Sequence, residues 1–176
     1  MSEIILIEPT KDDEKKIIDY KNEFLINGDS MGGTSDLRNA KTFDEWLDLL
    51  KSFSSEETVK EGYVPSTTYL AVRDSDKKLV GMIDVRHRLN ENLMKVGGHI
   101  GYSVRKTERR KGYAKEMLRL ALLKCKELNI SNVLVTCNFD NIASAKTIIA
   151  NGGVLENEVL DEKDGVMVQR YWIITK

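Results

Sequence analysis

No stretch of the 176 residues approaches the eighteen or so consecutive apolar positions that a membrane-spanning helix needs, so no membrane partner is expected. The segment Met1 to Glu8 lacks the basic flank and cleavage site of a signal peptide, and the expectation is a cytoplasmic protein. There are only two cysteines, Cys125 and Cys137. One falls on a helical stripe and the other in an apolar strand segment, which points to packed thiols rather than a disulfide framework or zinc site, so no metal is implied. A formal net charge of −1 excludes the broad basic surface of a general nucleic-acid binder. Internal repeats and low-complexity segments are absent. With 31% charged and 41% hydrophobic residues, a chain of this length can bury a real core, and residues 1–176 are expected to form a single domain.

What the sequence does have is one stretch where strand pattern, basic residues and helix pattern meet. Ile100, Tyr102 and Val104 alternate with Gly101 and Ser103, the period of a strand with one packed face. Ala114, Met117, Leu118, Ala121, Leu122, Cys125 and Leu128 then recur at helical spacing. Between the two lie Arg109, Arg110, Lys111 and Gly112. The first N–H groups of a helix have no intrahelical partner and sit at the positive end of its dipole, so an anion such as a diphosphate suits this turn. Gly112 lets a ligand approach the backbone, Ala114 keeps bulk away, and Tyr113 and Lys115 complete the turn. The spacing Arg-x-x-Gly-x-Ala lacks the glycines of the dinucleotide and P-loop signatures, which sets those two readings aside. The residues alone leave open a solvated basic face with an ordinary turn glycine.

The rest of the chain reads in order as strand Glu3–Glu8, helix from Lys11 to about Ile26, then a Gly- and Ser-rich loop from Asn27 to Asp36 that is a candidate functional segment. Thr42 caps a second helix, with Glu45 three residues on. Strands Thr67–Arg73 and Leu79–His87 follow, and Asn90-Glu91-Asn92 turns into a strand that leads to the central element. Asn132–Cys137 is expected to lie parallel to the central strand through a right-handed crossover. A short helix from Asn141 to Ala150, ended by Gly152-Gly153, precedes a closing hairpin. The fold class is α/β, with a central mixed sheet flanked by helices in the order β-α-α-β-β-β-α-β-α-β-β.

Val104 through Ala114 resembles the acyl-CoA motif of the GNAT acetyltransferase superfamily, written Q/R-x-x-G-x-G/A after a strand and opening a helix. His99-Ile100-Gly101-Tyr102 stands where members often carry an acidic residue followed by Ile-Gly-Tyr, and Asn138, Asn141 and Ser144 resemble the Asn-rich turn and next helix. The resemblance covers roughly residues 67–159. It implies acetyl-CoA as acyl donor, with the diphosphate at Arg109 to Lys115, and with Asn138, Asn141 and Ser144 on the cofactor side. It also implies a pantetheine arm along Tyr102, Ser103 and Val104, and an oxyanion donor at the Val104 N–H. The implied activity is transfer of the acetyl group to a primary amine of a small molecule or peptide. A non-catalytic acyl-CoA-binding regulatory domain is the alternative, and a homodimer is compatible with either.

An alkylammonium is neutral only about one part in a thousand at pH 7, so a base is wanted. His99 is the first candidate, because its ordinary pKa leaves it free at neutral pH. Asp84, a carboxylate in an otherwise apolar strand, is the second, as a cation anchor or proton relay. His87, between Arg86 and Arg88, is less well placed. One departure from the resembled pattern stands out: Ile148 occupies the register of the tyrosine that many members use to protonate the leaving thiolate. Tyr102 or Tyr113 can replace it only if a hydroxyl reaches the sulfur.

Overall fold

The computed structural model describes residues 3–175; Met1, Ser2 and Lys176, which the expected domain of residues 1–176 also takes in, lie outside the described residues. The chain opens with β1 (Ile4–Ile7). Thr10 then starts the helical region through a reciprocal cap, its hydroxyl accepting the Asp12 N–H while the Asp13 carboxylate accepts the Thr10 N–H at 3.0 Å. α1 (Glu14–Asn27) follows and ends on Gly28 at φ +67°, a left-handed conformation that favours glycine. α2 (Phe43–Ser52) has the expected Thr42 cap, with the Glu45 N–H donated to Thr42 Oγ1 at 3.1 Å. β2 (Ser66–Arg73), β3 (Leu79–Arg86) and β4 (Ile100–Val104) come next, then α3 (Tyr113–Glu127), β5 (Asn132–Asn138), α4 (Ile142–Ala150), β6 (Val154–Asp161) and β7 (Val166–Ile174). Fold class and element order are those expected from the sequence.

Two details differ from expectation. Residues Leu93–Gly97 form a helical turn rather than a strand leading into β4. The expected single mixed sheet is divided in two: β1-β2-β3-β4 and β5-β7-β6, each antiparallel throughout. β4 and β5 share no ladder. They touch where the His99 N–H donates to Leu134 O at 2.7 Å, and a Cβ at Gly98 would sit 2.6 Å from that same oxygen, so only glycine permits the approach. Beyond this pivot the partnership lapses, and among the described residues the β4 edge has no neighbouring strand.

The four-stranded sheet has a core on each face. Side chains alternate across a strand, so Leu70, Val72 and Met82 face one way, against Ile17, Tyr20, Phe24, Trp46 and Leu47 of α1 and α2. Tyr69, Ala71, Ile83 and Val85 face the other way, against Met117, Leu118, Ala121 and Cys125 of α3. Each fully buried large side chain contributes roughly 1.5–3 kcal/mol. Trp46 also ties down the loop ahead of α2, since its Nε1–H donates to Thr34 O at 2.8 Å. Among the described residues, no helix is long and apolar enough to cross a membrane.

Candidate active site

Ladder parity decides what β4 can offer a ligand. Arg86 N donates to His99 O and Arg105 N to Val80 O, while the pairs Val85–Ile100, Ile83–Tyr102 and Gly81–Val104 fall between the bonded pairs. Antiparallel pairing points the N–H and C=O groups of such in-between residues away from the partner strand. The amides of Tyr102 and Val104 therefore face the unpaired edge. A cavity of about 600 Å³ lies there, lined by Tyr102, Ser103 and Val104, by the α3 start from Gly112 to Lys115, and by Asn141 and Ser144 of the α4 start.

The α3 N-terminus closes one end of this cleft. Gly112 takes φ +87° and caps the helix with no side chain, and nothing lies within 4 Å of where its Cβ would be. The first helical bond closes from Glu116 N to Gly112 O, so the amides of Ala114 and Lys115 in the first turn have no intrahelical acceptor. The basic residues are not equivalent. Arg109 bonds Val104 O and Asp29, both at 2.9 Å, and lies over the Phe24 ring. Lys111 is paired with Glu108 at 2.9 Å. Arg110 and Lys115 make no ion pair among the described residues and line the cleft.

Beneath the cradle is a group that motif matching missed. Glu108 is buried and receives Arg73, Lys78 and Lys111 at 2.9, 2.7 and 2.9 Å. Burial alone would raise its pKa, but the bonds from these cations outweigh it and hold the carboxyl at about 2. Tyr113 joins the cluster, its hydroxyl accepting from Arg73 at 3.0 Å. The Gly- and Ser-rich loop contributes as well. Gly32 O accepts the Ser103 hydroxyl at 2.6 Å, and a Cβ at Gly32 would lie 2.9 Å from Tyr102 O, so the loop packs directly on β4. Its composition marked it as a loop; its contact with β4, seventy or so residues away, had no local signal.

The candidate catalytic side chains fall into different places. His99 is buried, and its Nδ1 accepts the Leu134 N–H at 2.9 Å. Burial, aided by the Arg86 charge, lowers its pKa to about 4. A neutral ring with Nδ1 engaged carries its proton on Nε2 and has no lone pair to offer. His99 thus pins β4 to β5, and this geometry corrects the expectation of a free base there. His87 bonds Thr67 Oγ1 at 2.9 Å and lines neither cavity described here. Asn138, expected on the cofactor side, ends β5 outside the cleft lining, whereas Asn141 caps α4 by accepting the Ser144 N–H at 3.1 Å. Ile148 is fully buried in the core. Tyr102, however, spans the cleft to Ser144 Oγ at 2.7 Å, and burial pushes its hydroxyl up to about 12, so it is protonated at neutral pH.

Asp84 lies on the opposite face of β4 from the Tyr102 ring. It is 5% exposed, pairs with Gly101 in the ladder, and its Oδ1 has no hydrogen-bond partner among the described residues. Arg86 Nε stands 3.5 Å from Oδ2. Burial raises the Asp84 pKa above the usual carboxylate range, with the Arg86 charge opposing. A Cβ at Gly101 would meet Asp84 Oδ1 at 3.2 Å, Gly33 N at 3.3 Å and Arg86 Nη2 at 3.4 Å, so glycine keeps these polar groups uncovered beside β4. Asp84 also lines a second cavity, of about 900 Å³, beneath α2.

A parted strand edge with outward amides, running into a glycine-led helix start, defines an acyl-CoA-dependent transferase. The sequence model of the acetyltransferase (GNAT) domain matches residues 4–154, and the chain belongs to that family, whose acyl donor is acetyl-CoA. Solved structures share the fold at low identity. An acetyltransferase of the GNAT family from Streptococcus pneumoniae aligns at 15% identity over 99% of this chain and 100% of its own, with a TM-score of 0.67. The dodecameric spermidine N-acetyltransferase of Vibrio cholerae gives 15%, 99%, 95% and 0.68 for the same quantities. The microcin C7 self-immunity acetyltransferase MccE, solved with acetyl-CoA and AMP, gives 16%, 99%, 93% and 0.69. A comparison with curated protein sequences finds no match.

Proposed function

We propose that this acetyltransferase moves the acetyl group from acetyl-CoA to a primary amine of a small molecule or peptide by direct attack in a ternary complex. The observation that carries the reading is that the edge-facing amides of Tyr102 and Val104 on β4 and the glycine-led start of α3 line one cleft. A donor with an amide-bearing arm and a diphosphate fits that cleft. The cradle suits the anion: the Ala114 and Lys115 N–H groups lie at the positive end of α3, no side chain fills the space over Gly112, and Arg110 and Lys115 at its rim make no ion pair among the described residues. When bound, acetyl-CoA supplies the thioester. Val104 N–H, on the open edge, is placed to stabilise an oxyanion, and one such donor is worth roughly 3 kcal/mol.

The geometry favours Asp84 over His99 for the amine's proton, since its Oδ1 has no hydrogen-bond partner among the described residues and burial raises its pKa, which makes it a stronger base than an ordinary carboxylate. Tyr102 takes the place left by Ile148: its protonated hydroxyl lines the cleft and is oriented by Ser144. The two buried free cysteines suit a reducing compartment and support the cytoplasmic reading. The test is thiol release from acetyl-CoA against a panel of amines, with initial rates taken across both substrates. Intersecting reciprocal plots and an alkali-stable acetylated product are expected. Parallel plots, an acetylated enzyme or an ester product would overturn direct transfer to nitrogen.

A further inference from the structure

The cavity beneath α2 carries more information than the acetyl-donor cleft, because its walls are made by side chains. Asp84 lines it, and sits in the row Thr68–Asp84–Gly101 that is aligned across β2, β3 and β4. Thr68 is satisfied by Ser35 at 2.8 Å, whereas Asp84 Oδ1, 95% buried by its residue's exposure of 5%, is left without a partner. A buried carboxylate oxygen in that state requires a donor from a ligand or water, or else persists at a cost in stability.

The charge around it has a sign. Three further carboxylates line the cavity, Asp36 from the loop and Glu45 and Asp48 from α2. Against them stand Lys60 and Arg86. Arg86 is already engaged, its Nη1 donating to Gly97 O and Gly98 O at 2.9 and 3.0 Å. The mouth also holds the Phe53–Tyr63 ring pair, 5.6 Å between centroids, and aromatic faces attract cations. A carboxylate-bearing acceptor would find four acids there, with Lys60 the one cation of the lining that makes no ion pair among the described residues.

Building on the transfer reaction proposed above, we infer that the acceptor is a dicationic alkyl amine: one ammonium is held at Asp84 beside Gly101, and a second cation sits against the acids of α2 and the loop. The chemistry balances without a further reactant. Asp84 takes one proton from the ammonium, and the freed nitrogen lone pair forms the C–N bond. The C–S bond then breaks, a second amine proton neutralises the departing thiolate, and Asp84 returns its proton to water. The products are the amide, CoA thiol and one released proton.

Three probes of equal backbone length separate the features: putrescine, n-butylamine and γ-aminobutyrate, each with acetyl-CoA. Putrescine should exceed n-butylamine in kcat/KM by about tenfold, and γ-aminobutyrate should be slowest. Asp84→Asn should lower kcat/KM for putrescine by about 10²-fold and leave the acetyl-CoA Kd within about twofold. The double variant Asp36→Asn/Asp48→Asn should bring the putrescine to n-butylamine ratio toward one, and this arm stands even if Asp84→Asn folds badly. Preference for γ-aminobutyrate, equal rates for the two amines, or undiminished turnover in Asp84→Asn would overturn the acceptor class. Acetyl-CoA that binds with no acetylation of any probe would do so too. Failure of the parent protein to bind acetyl-CoA is a different result and would sink the transfer reaction itself.

Discussion

The two cavities on either side of β4 are built by opposite means. The acetyl-donor cleft is made of backbone: outward amides of Tyr102 and Val104, the first turn of α3, and a glycine with open space above it. The cavity beneath α2 is made of side chains gathered from the loop, α2, β2 and β3, around the unpartnered Asp84. Backbone sites depend on conformation and tolerate side-chain change, so their weak points are the residues that set φ and ψ. Side-chain sites depend on charge and chemical identity, so a conservative substitution can empty them of function while the fold stands.

The sharpest way to break that contrast is Gly112→Val. A β-branched residue at φ +87° is strained wherever its side chain points, and the cradle amides must turn to relieve it. Acetyl-CoA affinity should fall by about 10²-fold or more, checked by calorimetric titration. A loss below about threefold would place the phosphates elsewhere. Next in size is the buried carboxylate under the cradle. Glu108 has a folded-state pKa of about 2 against the ordinary 4.5, so its contribution is fully present above the ordinary value and is lost as pH falls toward 2. That shift corresponds to up to about 3 kcal/mol at neutral pH, reduced by the partial exposure of Lys78 and Lys111. Urea unfolding of the parent should lose stability through that window, and Glu108→Gln should flatten the dependence while lowering stability at pH 7. An unchanged acid limb would show that the cluster does not couple to folding.

Tyr102→Phe tests the side chain proposed to protonate the departing thiolate in the donor cleft. Thiol release should slow by about tenfold with the acetyl-CoA Kd nearly unchanged, because the hydroxyl contributes at thiolate departure and the arm is held by amides. Equal loss in affinity and rate would make Tyr102 a packing residue.

The same contrast explains what could be read before any coordinates. Gly112, Ala114, the alternation at Ile100–Val104 and the stripe from Met117 to Cys125 are local patterns, and a backbone site is written in local patterns. α1 was harder, because its buried stripe is Ile17, Tyr20 and Phe24, and a tyrosine does not read as apolar until its hydroxyl is seen to reach Ser103 O at 3.0 Å. Glu108 looked like one more charge in a charged turn, although it is 3% exposed and holds three cations. The split of the sheet was illegible for a related reason. Val133, Leu134 and Val135 read correctly as a buried strand, but burial does not say which backbone takes the hydrogen bonds, and here β7 takes them. Asp84 was conspicuous as a polar residue in an apolar strand, yet its cavity needs Asp36 and Glu45, brought there only by tertiary packing.

His99 gives the smallest expected effect on the reaction and the clearest separation of the two kinds of role. Strand position alone suggested a base, since an imidazole near neutrality is the usual choice. The Leu134 N–H at 2.9 Å occupies Nδ1, and the adjacent His99 N–H to Leu134 O bond at 2.7 Å makes the residue a two-point clasp at the place where the sheets meet. His99→Ala leaves the Leu134 N–H without an acceptor in a buried setting, which costs roughly 1–3 kcal/mol. His99→Gln offers an amide oxygen in its stead and should recover part of that loss. Turnover per folded molecule should change by less than about threefold in the glutamine variant, and the low-pH limb of kcat/KM should stay where it is in the parent, because a ring held at about 4 by burial does not titrate near neutrality. Disappearance of that limb in His99→Gln, with the fold intact by its unfolding midpoint, would return the base role to His99 and leave Asp84 as an anchor alone.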